Sequence, residues 1–162
     1  MTPEELGNQL QKTLDSLPKY ALEIGVFSDD SSRDTPSKSY LQIGVTNAEL
    51  MFIHENGSPL RNLPSRPVLQ MTVDYANDGL LYKTIQLGIK ALLENDFKVE
   101  AFENELNKLA LRLEKYARKI IYSNDGRLAP NSPATIKAKG DNHPLFDTGQ
   151  LARSITCRVI KL

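Results

Sequence analysis

Seven apolar side chains define the longest element of this chain. Val99, Phe102, Leu106, Leu109, Leu113, Tyr116 and Ile120 recur at alternating steps of three and four, which places them on one face of a helix with 3.6 residues per turn. The stripe predicts a helix of roughly 24 residues with one face to bury. Glu100, Glu103 and Glu105 lie toward its start, and Lys108, Arg112, Lys115, Arg118 and Lys119 toward its end. That order suits the helix dipole. The basic end therefore has two readings: a solvated face favoured by the dipole, or a surface on which Arg112, Lys115 and Lys119 meet a partner or DNA.

Other elements follow from caps and periodicity. Thr2-Pro3-Glu4-Glu5 has an N-cap, a proline at the first helical position and a capping-box glutamate. With Leu6, Leu10, Leu14 and Leu17 on one face, it predicts an amphipathic helix over 3–17, stopped by Pro18. Tyr20, Leu22, Ile24 and Val26 alternate as a half-buried strand, as do Ile155, Cys157 and Val159 near the C-terminus. Thr46 or Asn47 can cap a short helix through Glu55, closed by Gly57. Helical pattern resumes near Pro67 and runs to about Leu93, with a break at Asn77-Asp78-Gly79. Ser132-Pro133-Ala134-Thr135 can start a single helical turn. The expected class is α+β, a small antiparallel sheet packed with two or more long helices, in a single domain over 1–162.

Two segments resist regular structure. Ser28 to Ser39 has little to bury and reads as a flexible loop. Its Asp29, Asp30 and Asp34 lack the glycine and distal glutamate of a calcium loop. Residues 58–67 contain Pro59, Pro64 and Pro67 and read as a stiff, extended arm.

With 20 Lys/Arg against 20 Asp/Glu, the whole chain has no net charge and no general pull toward nucleic acid or membrane surfaces. The balance is uneven along the chain. Residues 1–111 carry 10 basic and 16 acidic side chains, and residues 112–162 carry 10 and 4. Opposed poles of −6 and +6 suit head-to-tail contact between copies, or they neutralise each other within one domain. The one cysteine, Cys157, rules out an internal disulfide. The opening residues lack a signal-peptide layout and no apolar run approaches ~18 residues, so a soluble, cytoplasmic chain without a membrane partner is expected.

Motifs for chemistry are imitated rather than present. His54-Glu55 begins like a zinc-protease helix, but the second histidine would fall at Ser58. Asp147-Thr148-Gly149 matches the aspartic-protease triplet, but that chemistry needs a second carboxylate sharing a proton. A structural role fits better: Asp147 or Thr148 capping nearby N–H groups, with Gly149 permitting an unusual backbone angle. No catalytic residue, metal or cofactor is expected.

Five segments in order resemble the small neck and tail-completion (head–tail connector, virion-morphogenesis) proteins of tailed bacteriophages. They are Glu23-Ile24-Gly25-Val26-Phe27; Asn47-Ala48-Glu49 through His54-Glu55-Asn56-Gly57; Leu63-Pro64-Ser65-Arg66-Pro67-Val68-Leu69; Ala129-Pro130-Asn131-Ser132-Pro133 through Lys139; and Pro144 through Leu151 with Ser154-Ile155-Thr156. Asn56 and Val68 replace that group's usual aromatic and phenylalanine, and 28–42 reads as an insertion. The resemblance implies a non-enzymatic, homo-oligomeric ring in the virion neck, six-fold in that group and assembled in the host cytoplasm. Its neighbours would be the portal or head-closure ring and the tail terminator or tail tube, with non-specific DNA contact in the lumen. The alternative is a tail terminator or a transient tail-assembly factor. Contact residues between subunits would be Leu63, Pro64, Arg66 and Pro67 of the arm, with Arg112, Lys115 and Lys119. Arg66 would clamp a neighbour's carboxylate or carbonyls, or else fold back on its own domain.

Overall fold

The computed structural model describes residues 1–27 and 45–162; the loop expected at 28–39 lies outside them. Helix α1 spans Pro3–Ser16 and strand β1 spans Tyr20–Gly25. Helix α2 covers Asn47–Asn56 and α3 Val68–Tyr75. Next come α4 at Leu81–Glu94, α5 at Val99–Ser123, α6 at Pro133–Lys139, α7 at Gln150–Ser154 and strand β2 at Thr156–Lys161. The two strands form an antiparallel sheet, and the class is α+β.

Local chemistry explains most boundaries. Thr2 caps α1, its Oγ1 accepting Glu5 N–H at 3.2 Å while the Glu5 carboxylate accepts Thr2 N–H at 2.6 Å. Thr46, rather than Asn47, does the same for α2 with Glu49. Such a cap is worth about 1 kcal/mol. Between α3 and α4 the helical path breaks where Asp78 and Gly79 leave helical angles, Gly79 with φ of 78°, a left-handed position that glycine takes without strain. The seven-residue stripe lies on α5, whose 25 residues match the expected length.

Residues 58–63, the first part of the segment 58–67, are not the extended arm its prolines suggest, while 64–67 hold no regular structure. Pro59–Arg61 forms one 3₁₀ turn, and Ser58 and Leu63 pair across it as an antiparallel bridge. Proline forbids a donor but not a turn, and Pro59 at the first position of the 3₁₀ turn loses no bond.

The chain gathers into two compact units, neither continuous in sequence. The first comprises Met1–Glu23, Asp74–Leu113 and Cys157–Leu162; the second comprises Ile24–Val73 and Glu114–Thr156. Their boundaries fall inside β1, α3, α5 and β2, where no linker composition marks them. Counted over the described residues, the charges are 9 basic against 11 acidic in the first unit and 9 against 6 in the second. The −6/+6 split along the sequence therefore narrows to −2/+3 among the described residues, because the basic Arg112, Arg158 and Lys161 belong to the first unit.

In the first unit Leu92, Phe102 and Leu106 are buried, with Leu14, Leu17, Tyr20, Ile89 and Val159 against them. Tyr20 donates to Glu103 at 2.7 Å and Lys161 pairs with the same oxygen at 2.7 Å. Burial, then the Glu103 carboxylate, push the Tyr20 hydroxyl up to about 12. In the second unit Met51, Val68, Ile120, Ile121, Leu151 and Ile155 form the centre of the core.

Gly88 on α4 is where the backbone approaches the Phe102 ring: a Cβ there would meet ring carbons at 2.5 and 2.7 Å. Overpacking of this kind costs about 1–3 kcal/mol, against roughly 1 kcal/mol gained in helix propensity. Gly88→Ala should therefore be destabilised or at best neutral in urea unfolding. A clear gain in stability would show that Phe102 moves aside freely.

Candidate functional site

The end of α2 and the start of α3 lie within the second unit, and the residues between them are stitched to both. Arg66 N–H donates to the His54 carbonyl at 2.6 Å and Ser65 Oγ to the Glu55 carbonyl at 2.6 Å. The Glu55 carboxylate accepts from the backbone N–H of Leu69 at 3.0 Å and of Gln70 at 2.8 Å. Those amides belong to the first turn of α3, where donors have no intrahelical partner and the dipole favours an anion. Gly57 turns the chain with φ of 71°, and a Cβ on it would stand 2.7 Å from Ser65 N and 2.9 Å from the Leu63 oxygen. Only glycine satisfies both the angle and the space.

Arg66 sits at the centre and is 3% exposed. Its Nε donates to the Ala129 carbonyl at 2.8 Å and its Nη2 to the Pro130 carbonyl at 2.8 Å. Its Nη1 lies 3.1 Å from His54 Nδ1. A guanidinium only donates, so Nδ1 is the acceptor and the His54 proton sits on Nε2. Burial, then the Arg66 charge, lower His54 to about 4. Burial also draws Arg66 down from its usual value. Partners that are dipoles rather than carboxylates suit a weakly hydrated, planar guanidinium better than a lysine ammonium.

Arg66 is therefore an intramolecular clamp, and the expectation that it grips a neighbouring subunit does not fit. Leu63 is half-buried in the bridge to Ser58, Pro64 is exposed, and Pro67 is half-buried, its carbonyl accepting Met71 N–H at 3.0 Å. Arg112 is likewise engaged within its own unit: Nε and Nη2 donate to the Tyr75 hydroxyl at 3.0 and 2.7 Å. Lys115 and Lys119 are exposed and in no ion pair among the described residues.

The Asp147-Thr148-Gly149 triplet is a turn without side-chain capping. Gly149 is the residue before α7, with φ of 77°, and no side chain caps that helix. Asp147 and Thr148 are exposed, and the Thr148 carbonyl accepts from Arg153 Nη1 at 3.1 Å. The capping role expected of Asp147 or Thr148 is thus corrected, and the positive angle expected of Gly149 is present. The approach to this turn is held by His143, whose Nε2 donates to the Ile121 carbonyl at 2.7 Å and whose ring stacks on Phe146 at 4.6 Å. Lys139 Nζ donates to the carbonyls of His143 and Phe146.

Three of the five resemblance segments meet at Arg66: the α2 end, the 63–69 stretch and Ala129-Pro130. Sequence reasoning missed Glu55 as the cap of α3 and the two carbonyl acceptors, because neither signal is local. Among the described residues no group of three or more His, Cys, Asp and Glu is placed to hold a metal ion. No helix among them is long and apolar enough to cross a membrane. Compared with protein-family models, curated proteins and solved structures, the chain finds no match in any of the three.

Two outcomes follow from this geometry. Arg66→Ala leaves two carbonyls and a ring nitrogen without their donor and should cost about 2–4 kcal/mol in chemical unfolding. Arg66→Lys should recover little of it, because one ammonium cannot span three acceptors. An alanine variant within about 0.5 kcal/mol of wild type would remove the clamp from the account. His54 is held neutral when folded and titrates near 6.5 when unfolded, so its stabilising contribution is complete above about pH 6.5 and is lost as pH falls toward about 4. Across that window stability should drop by about 2–3 kcal/mol, and His54→Asn should lack that part of the slope. Parallel pH profiles for the two proteins would refute the assignment.

Proposed function

We propose that this chain is a non-catalytic ring subunit of the neck of a tailed bacteriophage, joining the head side to the tail during virion assembly. The observation that carries this reading is the convergence on Arg66. Segments that resemble the neck and tail-completion group one by one, 12 to 64 residues apart in sequence, belong to one hydrogen-bonded cluster. A chance scatter of short motifs gives no reason for the α2 end, the Arg-Pro stretch and Ala129-Pro130 to share a single clamp. The chemistry of that cluster is architectural: its charged and polar groups are consumed in closing two turns and capping a helix.

Within this reading the clamp holds a shape, and contact between subunits falls to side chains the clamp leaves outside. Exposed apolar residues are available in each unit, Phe52 and Leu60 in the second, Tyr82 and Leu111 in the first. Lys115 and Lys119 remain candidates for a contact with DNA or a neighbouring protein.

Deletion of the gene from the phage or prophage that encodes the chain tests the proposal. Filled heads and finished tails should accumulate unjoined, with infectious titre restored by the wild-type gene in trans. Normal particles from the deletion would overturn it. Detection of the chain in purified particles should accompany the defect; a defect without the chain in the particle would assign it instead to a transient assembly factor.

A further inference from the structure

Leu60 is 100% exposed, whereas no other large apolar side chain away from the chain ends exceeds the 69% of Phe52 among the described residues. It stands on a turn that cannot fold it away. Ser58 and Leu63 exchange backbone bonds at 2.8 and 3.0 Å, and the N–H groups of Arg61 and Asn62 close on Ser58 and Pro59 at 3.0 and 3.1 Å. Gly57 and the Arg66 clamp fix both ends of the turn. A side chain presented on so rigid a support loses little freedom on docking, and its burial needs a second surface. Beside it Arg61 is exposed and in no ion pair among the described residues.

The complement to an apolar tip with a cation beside it is an apolar surface with carboxylates. This chain carries an exposed leucine with carboxylates close to it in sequence in its first unit. Leu93, 41% exposed at the end of α4, is followed by exposed Glu94 and Asp96 and, in the first turn of α5, by Glu100. Lys90, paired with Glu94 at 3.6 Å, and Lys98 are the cations there, so the carboxylates are in excess by one.

We propose that the Pro59–Arg61 turn docks on the Leu93 end of α4 in a second copy of this chain, Leu60 against Leu93 and Arg61 toward the carboxylates. Tip and receiving surface are different parts of the molecule, so the contact is heterologous and propagates head to tail, which gives a closed ring when the rotation allows. The inference deepens the ring reading and rests on it for the choice of a second copy as occupant.

The test is sedimentation velocity of the full chain across a concentration series, with circular dichroism to confirm that each variant is folded. Wild type should self-associate. Leu60→Asp alters a side chain with no contacts to lose, so it should fold normally and associate at least about tenfold more weakly. Arg61→Glu and Glu94→Lys should each weaken association, and the double variant should restore it. A wild type that stays monomeric throughout the series overturns the proposal, as does a Leu60→Asp protein that assembles as well as wild type. A double variant no better than its parents overturns the choice of receiving surface. Self-association that depends on Leu60, in a chain whose deletion leaves phage particles normal, would sink the neck assignment and leave this contact standing.

Discussion

Burying a guanidinium without a carboxylate to neutralise it is the constraint around which the second unit is arranged. Arg66 gives its hydrogens to two carbonyl oxygens and one imidazole nitrogen, so among the described residues its charge is met by dipoles alone. Dipoles compensate a buried cation only when they are fixed at the right distance. The requirement therefore passes outward to the backbone at Ala129-Pro130, the end of α2 and the turn at Gly57. His54 must stay neutral for the same reason, since a second cation at 3.1 Å would have to be accommodated in the same buried space.

That arrangement bears on what this segment offers a partner. Arginine is often a contact residue because its planar fork reaches carboxylates and carbonyls at an interface. Here the fork is spent inside the chain, and its effect on a partner can only be indirect. What it supplies is a rigid base for the Pro59–Arg61 turn, whose tip is the most exposed internal apolar side chain among the described residues. Rigidity and exposure are linked: a turn free to relax would bury its leucine.

Charge carries a parallel lesson. The opposed halves of the sequence are real, yet β1, α3, α5 and β2 each supply residues to both compact units. Acidic and basic stretches are mixed by that threading, and the surviving imbalance is small. Exposed pairs are individually weak and screened by salt, so apolar contact with local charge matching is a sounder basis for association than whole-domain poles.

Most helices and most boundaries were legible in the residues themselves; α7 at Gln150–Ser154, where no helix was expected, was not. The Thr2 and Thr46 capping boxes, the break at Asp78-Gly79, the α5 stripe and both strands follow from bonds and periodicities that span four residues or a few turns. The positive angle of Gly149 follows from the same kind of local reasoning, although the capping expected of Asp147 or Thr148 does not appear. Tertiary structure alone decided the role of Arg66, because its acceptors lie 63 and 64 residues away. It also decided that Glu55 caps a helix 13 residues further on, and that the first part of a proline-rich stretch is a closed turn. A residue's type states which bonds it can make; which partners it finds is a property of the packed chain, where burial removes water as the alternative.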